Sequence, residues 1–427
     1  MRSLIWMAGV CAASQQLLPQ APGNTTTPLR PSQDPWYTTP AGFETAEPGE
    51  ILRIRSAPGN LTSIIGNATT AYNILYRTTD SRYQPSWAVT TLIIPNVTYV
   101  SPSGSKALLS YQFAYDSAAI DASPSYGLYN ELSQAFPTLG IPASTDLVAE
   151  LLGQGWIINT PDYEGFNASF GCTIQSGHAT LDSVRAVLNL ARLTDFGNVT
   201  AAIWGYSGGS LATEAAAELQ VQYAPNLAIA GAVVGGLPAD LPADLHLFNK
   251  SPLSGDLVAL LVGLTTQYPD ADAYLQSRLH PENASEFYNA KTMVTGEGIN
   301  FFSMKDIYDY FIGGVEDLQA PVLQKVFDTE GKLGYHGVPT VPMFFYKAIG
   351  DEYCPVNETD AVVNKYCGVG ADITYDRNTV GGHVAEITNG QDRAINWLWS
   401  VFNESYVSHT LGCTIRNVTV NITSSPS

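Results

Sequence analysis

One short run in this 427-residue chain has the residue types of a nucleophile turn. Gly205-Tyr206-Ser207-Gly208-Gly209 carries the pattern Gly-x-Ser-x-Gly, which occurs once. With 37 glycines in the chain the bare pattern is weak, and its surroundings carry the weight. The apolar run Ala201-Ala202-Ile203-Trp204 leads in as a strand, and a helix starting near Ser210 leads out to Gln222. A strand–turn–helix this sharp forces residue 207 into strained backbone, and neighbours without a Cβ relieve the crowding. The Ser207 oxygen then projects from the carboxyl edge of a sheet, beside a helix N-terminus.

A serine hydroxyl is a poor nucleophile near neutral pH and needs a positioned base. In an α/β-hydrolase arrangement the chain order is Ser, acid, His, with the acid after a late strand and the His in a loop farther on. Of six histidines, His178 precedes the serine, His246 and His280 fall in a long helical stretch, and His336 precedes the late strand. His383, in Val380-Gly381-Gly382-His383-Val384-Ala385, has the required place; His409, past the last core helix, is the second choice. The acid lies between Ser207 and His383. Gly350-Asp351-Glu352 follows the apolar strand Met343-Phe344-Phe345-Tyr346, so Asp351 can accept the imidazole N–H and stabilise the imidazolium. Glu352 stays open as an alternative on spacing, and Asp360 reads as a solvated charge on a helix.

The elements that must position these residues alternate. Residues 15–48 are rich in Pro, Gln and Thr and read as an extended arm. Strand patterns follow at 71–76, 87–94, 107–113, 156–160, 201–204 and 227–234, with a helix over about 177–193. Between about Leu237 and Gly337 the alternation stops in favour of helical patterns, including the apolar run 257–262. It resumes with strand 341–348, helix 357–365, strand 373–375 and helix 391–402. Strands alternating with helices predict a mostly parallel sheet covered on both faces. The expected organisation is a signal peptide at 1–18, a first core part at 19–236, a helical cap at 237–337 and a second core part at 338–427.

Composition bounds the partners. Apolar residues make up 45% of the chain and charged residues 14%, against a typical charged share of roughly 25%. That supports a large core and excludes a disordered protein. Lys and Arg total 20 against 39 Asp and Glu, a formal charge of −19, so nucleic acid and anionic membrane surfaces are disfavoured. Neutral esters or a neutral lipid interface carry no such penalty.

The ends and the cysteines point to export. Arg2 and the apolar stretch Leu4 to Ala13, followed by small residues, read as a signal peptide; ten residues span only about 15 Å as a helix, too short for a bilayer. Glycosylation candidates are Asn60, Asn67, Asn96, Asn167, Asn198, Asn283, Asn357, Asn403 and Asn417. Asn24 and Asn421 also stand in sequons, and Asn249 is doubtful because Pro252 follows its Ser251. With Cys11 removed in the signal, Cys172, Cys354, Cys367 and Cys413 remain, an even set that permits three connectivities. No Cys-x-x-Cys occurs, and disulfides in an oxidising compartment are the expectation.

On these residues the chain resembles the fungal secretory lipase family, the Candida antarctica lipase A-like group of α/β-hydrolases. The likeness runs from Asp34-Pro35-Trp36-Tyr37 to about Cys413, and is most specific at Asp162-Tyr163-Glu164-Gly165, Gly205–Gly209, Gly350-Asp351-Glu352 and His383-Val384-Ala385-Glu386-Ile387. The resemblance implies an α/β-hydrolase core with a helical cap and a triad of Ser207, Asp351 and His383. It also implies an oxyanion hole from the Gly208 N–H and Asp116, and a disulfide between Cys367 and Cys413. It leaves Cys172 and Cys354 open. The implied activity is that of a secreted serine ester hydrolase acting on small-molecule or lipid esters such as triacylglycerols, without cofactor or metal. The resemblance extends to trichothecene C-3 esterases, which deacylate a fungal secondary metabolite; the run 257–264 fits either an acyl tunnel or a buried cap core. A serine peptidase and a non-catalytic binding protein on the same scaffold are the remaining readings.

Overall fold

The computed structural model describes residues 27–129, 144–194, 196–408 and 412–422. The expected signal peptide, Cys11, Asn24 and His409 lie outside the described residues. The strands are β1 (Ile51–Ser56), β2 (Ala68–Thr79), β3 (Pro85–Pro95), β4 (Lys106–Gln112), β5 (Ile157–Pro161), β6 (Val199–Tyr206), β7 (Gly231–Gly235), β8 (Met343–Ala348), β9 (Ile373–Asn378) and β10 (Thr414–Val418). They form one sheet in the order β1-β2-β3-β5-β4-β6-β7-β8-β9-β10. Pairing is antiparallel from β1 to β5 and parallel from β5 to β10.

The central strands are apolar without a break because each feeds two cores. Along β6, Ala201 and Ile203 join one buried cluster while Ala202, Trp204 and Tyr206 join another. Met343 and Phe345 of β8 go to the first, Phe344 and Tyr346 to the second. Alternate side chains leave opposite faces of a strand, so the two clusters cover the two faces of the sheet. Helices α2 (Thr173–Leu193) and α3 (Gly208–Tyr223) cover the first face; α1 (Ser144–Gly153) and α11 (His383–Phe402) cover the second.

Between β7 and β8 the chain forms six helices: α4 (Leu241–Phe248), α5 (Ser254–Thr265), α6 (Pro269–Arg278), α7 (Pro281–Tyr288), α8 (Thr295–Phe302) and α9 (Pro321–Glu330). No β-strand occurs there among the described residues. The run 257–262 lies in α5, with Leu257, Val258, Leu260, Leu261 and Val262 all buried in the first core, so it serves packing. After β8 comes α10 (Val356–Gly368).

Three local readings differ from the sequence. Helix α2 begins four residues before the periodic pattern, because distant side chains satisfy its first free N–H groups. Ile174 N–H donates to Glu330 Oε2 at 3.0 Å and Gln175 N–H to Ser81 Oγ at 3.2 Å. Helix α11 begins at His383 rather than near Gln391, capped by Gly382, so His383 is the first residue of a helix and not part of the preceding loop. The edge strands β1 and β10 went unread; β1 is half-buried throughout and β10 mostly exposed, so neither carries an apolar run.

Of the sequon residues, Asn60, Asn96, Asn167, Asn198, Asn357 and Asn417 are exposed, and Asn283 and Asn403 are half-buried. Asn67 is exposed, yet its amide donates to the Ala149 carbonyl at 2.9 Å. Asn249 donates to Asp306 and accepts from Ile307 N–H, which ties up both ends of its amide.

Cys367 at the end of α10 is bonded to Cys413 just before β10, across a sequence separation of 46. Cys172 and Cys354 are buried free thiols. Closing a loop of that length restricts the unfolded chain by about 4 kcal/mol. Reduction is therefore expected to lower the urea midpoint of unfolding without abolishing the fold, and an unchanged midpoint in dithiothreitol would remove the bridge from the stability argument.

Candidate active site

The turn between β6 and α3 holds Ser207 at φ 53° and ψ −128°, a conformation that costs an L-residue on the order of 1–3 kcal/mol. The surroundings enforce it: Ser207 N–H donates to the Gly235 carbonyl at 3.0 Å, and Ser210 N–H to the Ser207 carbonyl at 2.8 Å. A Cβ on Gly205 would lie 2.1 Å from the Gly209 carbonyl oxygen, so the turn closes only without one. Ser207 is left at the tip, its Oγ donating to His383 Nε2 at 2.8 Å.

His383 is presented by the first turn of α11. Its backbone N–H donates to Glu352 Oε2 at 2.9 Å, and its carbonyl accepts from the Tyr206 hydroxyl at 2.6 Å. The rings of Tyr206 and Tyr353 stand 5.3 Å from the imidazole. His383 Nδ1 donates to Asp351 Oδ2 at 2.8 Å. Thus Asp351 meets the imidazole while Glu352, equally placed in sequence, braces the backbone behind it. Asp360 on α10 pairs with Arg377 at 3.1 Å and is not free in solvent. His178 lies buried in α2, stacked on Tyr223, and His246 bonds Tyr308, both as structural residues.

Asp351 follows β8 by three residues. Its Oδ1 accepts the N–H groups of Tyr353 and Cys354 at 3.1 and 2.9 Å. Lys347, fully buried at the end of β8, reaches Oδ2 at 3.1 Å and donates to the Leu237 carbonyl at 2.8 Å. Burial alone would raise this carboxyl, but the hydrogen bond and charge of His383, then Lys347, outweigh it and bring Asp351 down to about 2. The ionised form therefore persists in a site where it would otherwise take up a proton. Lys347 was missed by sequence reasoning, although a lone charge closing the apolar run Met343–Tyr346 is a readable signal.

Asp116 lies in the loop after β4 at φ 37°. A Cβ on Gly208 would lie 1.8 Å from its Oδ1, so the absence of a side chain at 208 gives that carboxyl its place. Asp116 Oδ1 is buried with no hydrogen-bond partner among the described residues. Burial pushes the carboxyl up to about 7, its own backbone N–H opposing. The Asp162–Gly165 stretch holds this loop: Tyr163 Oη donates to the Phe113 carbonyl at 2.6 Å, and Glu164 N–H to Tyr115 Oη at 2.7 Å. Thr295 at the start of α8 donates to the Tyr115 and Asp116 carbonyls from the other side.

A cavity of about 60 Å³ opens over these groups, lined by Ser207, Gly208, His383, Asp116, Phe170, Leu211, Tyr353 and Ile387, with Leu241, Phe248, Leu253 and Asp256 from the helical stretch. A larger cavity of about 280 Å³ sits at the amino ends of the parallel strands, among Leu92, Leu108, Ile157, Leu190 and Val199, and its lining holds no Ser, Cys, His, Asp or Glu. The smaller one holds Ser207, His383 and Asp116.

A profile of the secretory lipase family matches residues 131–409. The chain belongs to the secretory lipase family. It is similar to a probable trichothecene esterase of Stachybotrys chartarum, 48% identical over 99% of this chain and 88% of that protein, and to a trichothecene C-3 esterase of Fusarium sporotrichioides, 48% identical over 94% and 90%. Lipase A of Arthroderma benhamiae is 35% identical over 87% and 79%. Among solved structures, Candida antarctica lipase A in its closed state superposes with a TM-score of 0.82 at 26% identity, over 91% of this chain and 90% of that one. The fold is that of the lipase A α/β-hydrolases, and the chain is a carboxylic ester hydrolase acting on ester substrates. No described helix is long and apolar enough to cross a membrane.

The ion pair beneath the site yields a stability prediction. Lys347→Met removes one partner of a fully buried pair, which costs about 3–5 kcal/mol. The unfolding free energy in water should fall by that amount, seen as a lower urea midpoint at unchanged slope; a midpoint equal to the parent's would show that Lys347 does not hold Asp351.

Proposed function

We propose that Ser207, His383 and Asp351 are the catalytic triad, carried by the unbroken hydrogen-bond chain Ser207 Oγ–His383–Asp351 at 2.8 Å per link. Ser207 Oγ attacks the ester carbonyl carbon while its proton passes to His383 Nε2. The imidazolium returns that proton to the departing alcohol, leaving an acyl-serine. Water then attacks the acyl carbon with His383 again as base, the bond to Ser207 Oγ breaks, the carboxylic acid leaves, and the imidazolium returns the proton to Ser207. Asp351 fixes the tautomer that leaves Nε2 free and stabilises the imidazolium without taking its proton.

The Gly208 N–H and the Asp116 carboxyl form the oxyanion hole. A carboxyl can donate only when protonated, and a pKa near 7 keeps much of Asp116 in that form at neutral pH. Each such donor is worth about 3 kcal/mol in the transition state. Residues 237–337 act as a cap, since α4 and α5 supply one wall of the cavity. The working compartment is extracellular, supported by the secretory family, the Cys367–Cys413 bond and the exposed sequons.

The substrate is a short-acyl ester of a compact secondary-metabolite alcohol, of the trichothecene C-3 acetate type. Supporting this are the 48% identity to two trichothecene esterases against 35% to a fungal lipase, and the small cavity. Family membership favours a long-chain lipase as the second reading. Hydrolysis of p-nitrophenyl esters from acetate to palmitate separates them. Turnover is expected to be greatest on acetate and butyrate and to vanish in a folded Ser207→Ala variant. A profile rising to palmitate would transfer the substrate to the lipase reading, and activity surviving in Ser207→Ala would require another nucleophile.

A pH dependence follows from Asp116. Below about 7 its carboxyl is neutral and donates; above, it is ionised and repels the oxyanion. Turnover of the parent should therefore decline as pH rises through that range, whereas Asp116→Asn, whose amide donates at every pH, should lack this alkaline decline. Parallel kcat profiles for the two proteins would remove Asp116 from the oxyanion hole.

A further inference from the structure

The cavity over Ser207 carries two polar side chains that the triad and the oxyanion pair do not use, Asp256 and Tyr353. Asp256 is the third residue of α5, where an acid ordinarily serves the free N–H groups of the first helical turn. It makes no such bond here. Neither the Asp256 carboxyl nor the Tyr353 hydroxyl has a hydrogen-bond partner among the described residues. The rest of α5 turns its apolar side chains into the core, which leaves Asp256 as its contribution to the cavity, with Leu253 just before the helix. Tyr353 follows Asp351 by two residues and sets its ring against His383.

We propose that Asp256, with Tyr353 beside it, is a specificity site that receives a hydroxyl group carried by the alcohol part of the ester, close to the carbonyl under attack. This rests on the reading of Ser207 as nucleophile. A hydroxyl both donates and accepts, and so does a neutral carboxyl. Burial, followed by the neighbouring Asp116, pushes Asp256 well above the usual carboxyl range, consistent with that form. An alkyl chain laid over the same carboxyl would leave it buried without a partner, so the site rejects lipid-like alcohols as well as selecting hydroxylated ones. The asymmetry is large: a site built to bond a hydroxyl discriminates against the analogue lacking it far more strongly than an apolar site rejects an added hydroxyl. The small cavity leaves room for a short acyl group, which places the hydroxyl on the alcohol.

The test is a matched pair, trans-2-hydroxycyclohexyl acetate and cyclohexyl acetate, compared by kcat/KM. The parent should favour the hydroxylated ester by roughly tenfold or more. Asp256→Leu should bring the ratio close to one, chiefly by losing activity on the hydroxylated ester. Asp256→Asn, near in shape and able to donate and accept, should retain most of the preference. A parent ratio near one, or a preference that survives Asp256→Leu, overturns the proposal. Turnover of p-nitrophenyl acetate by the parent but not by Ser207→Ala keeps the two readings apart: with it, a flat ratio counts against Asp256 alone, and without it both fall.

Discussion

The site depends on a crowded turn. β6 must end, reverse and enter α3 within one residue, and the space is so limited that a Cβ at 205 would strike the backbone at 209. Ser207 takes the strained conformation because the Gly235 carbonyl on β7 and the first turn of α3 bind its backbone on both sides. Strain of a few kcal/mol persists only where the surroundings over-determine it. Here the surroundings are the sheet itself, flanked by two large cores, so the position of Ser207 is fixed by the part of the molecule least able to move.

The same crowding organises the chemistry around it. Because residue 208 has no side chain, Asp116 can bring a carboxyl oxygen to where a Cβ would stand. Because that carboxyl is buried, it tends toward its neutral form, while Asp351 a short distance away is held ionised by His383 and Lys347. Two aspartates in one site thus carry opposite protonation preferences, set by what each one touches. The neutral one can donate a hydrogen bond and the ionised one can hold a cation.

The helical stretch between β7 and β8 joins this arrangement from above. Thr295 grips the loop that carries Asp116, and α5 delivers Asp256 to the cavity. The helices that line this side of the cavity are therefore separate from the elements that carry Ser207, His383 and Asp351. Relatives can keep the reactive geometry and differ in what they hydrolyse, in line with the presence of both esterases and lipases among the proteins this chain resembles.

Much of this was legible in the chain. Gly205–Gly209 between an apolar run and a helix marks Ser207 as the candidate nucleophile, and order and position together favour His383 over His409 and the other histidines, because few positions suit a topology of alternating strands and helices. The sequence by itself also determined the fold class, since uninterrupted apolar strands are stable only when both faces are covered. It could not separate Asp351 from Glu352, which are neighbours along the chain; the choice lay in the direction each side chain takes, one toward the ring and the other toward the backbone of His383. It could not read β1 or β10, whose stability comes from pairing partners and a disulfide rather than from apolar pattern. Lys347 left a mark as a lone charge at the end of an apolar run, but its ion pair with Asp351 shows only in the folded chain, and Asp256 reaches the cavity of Ser207 only once the sheet and its helices bring distant residues together.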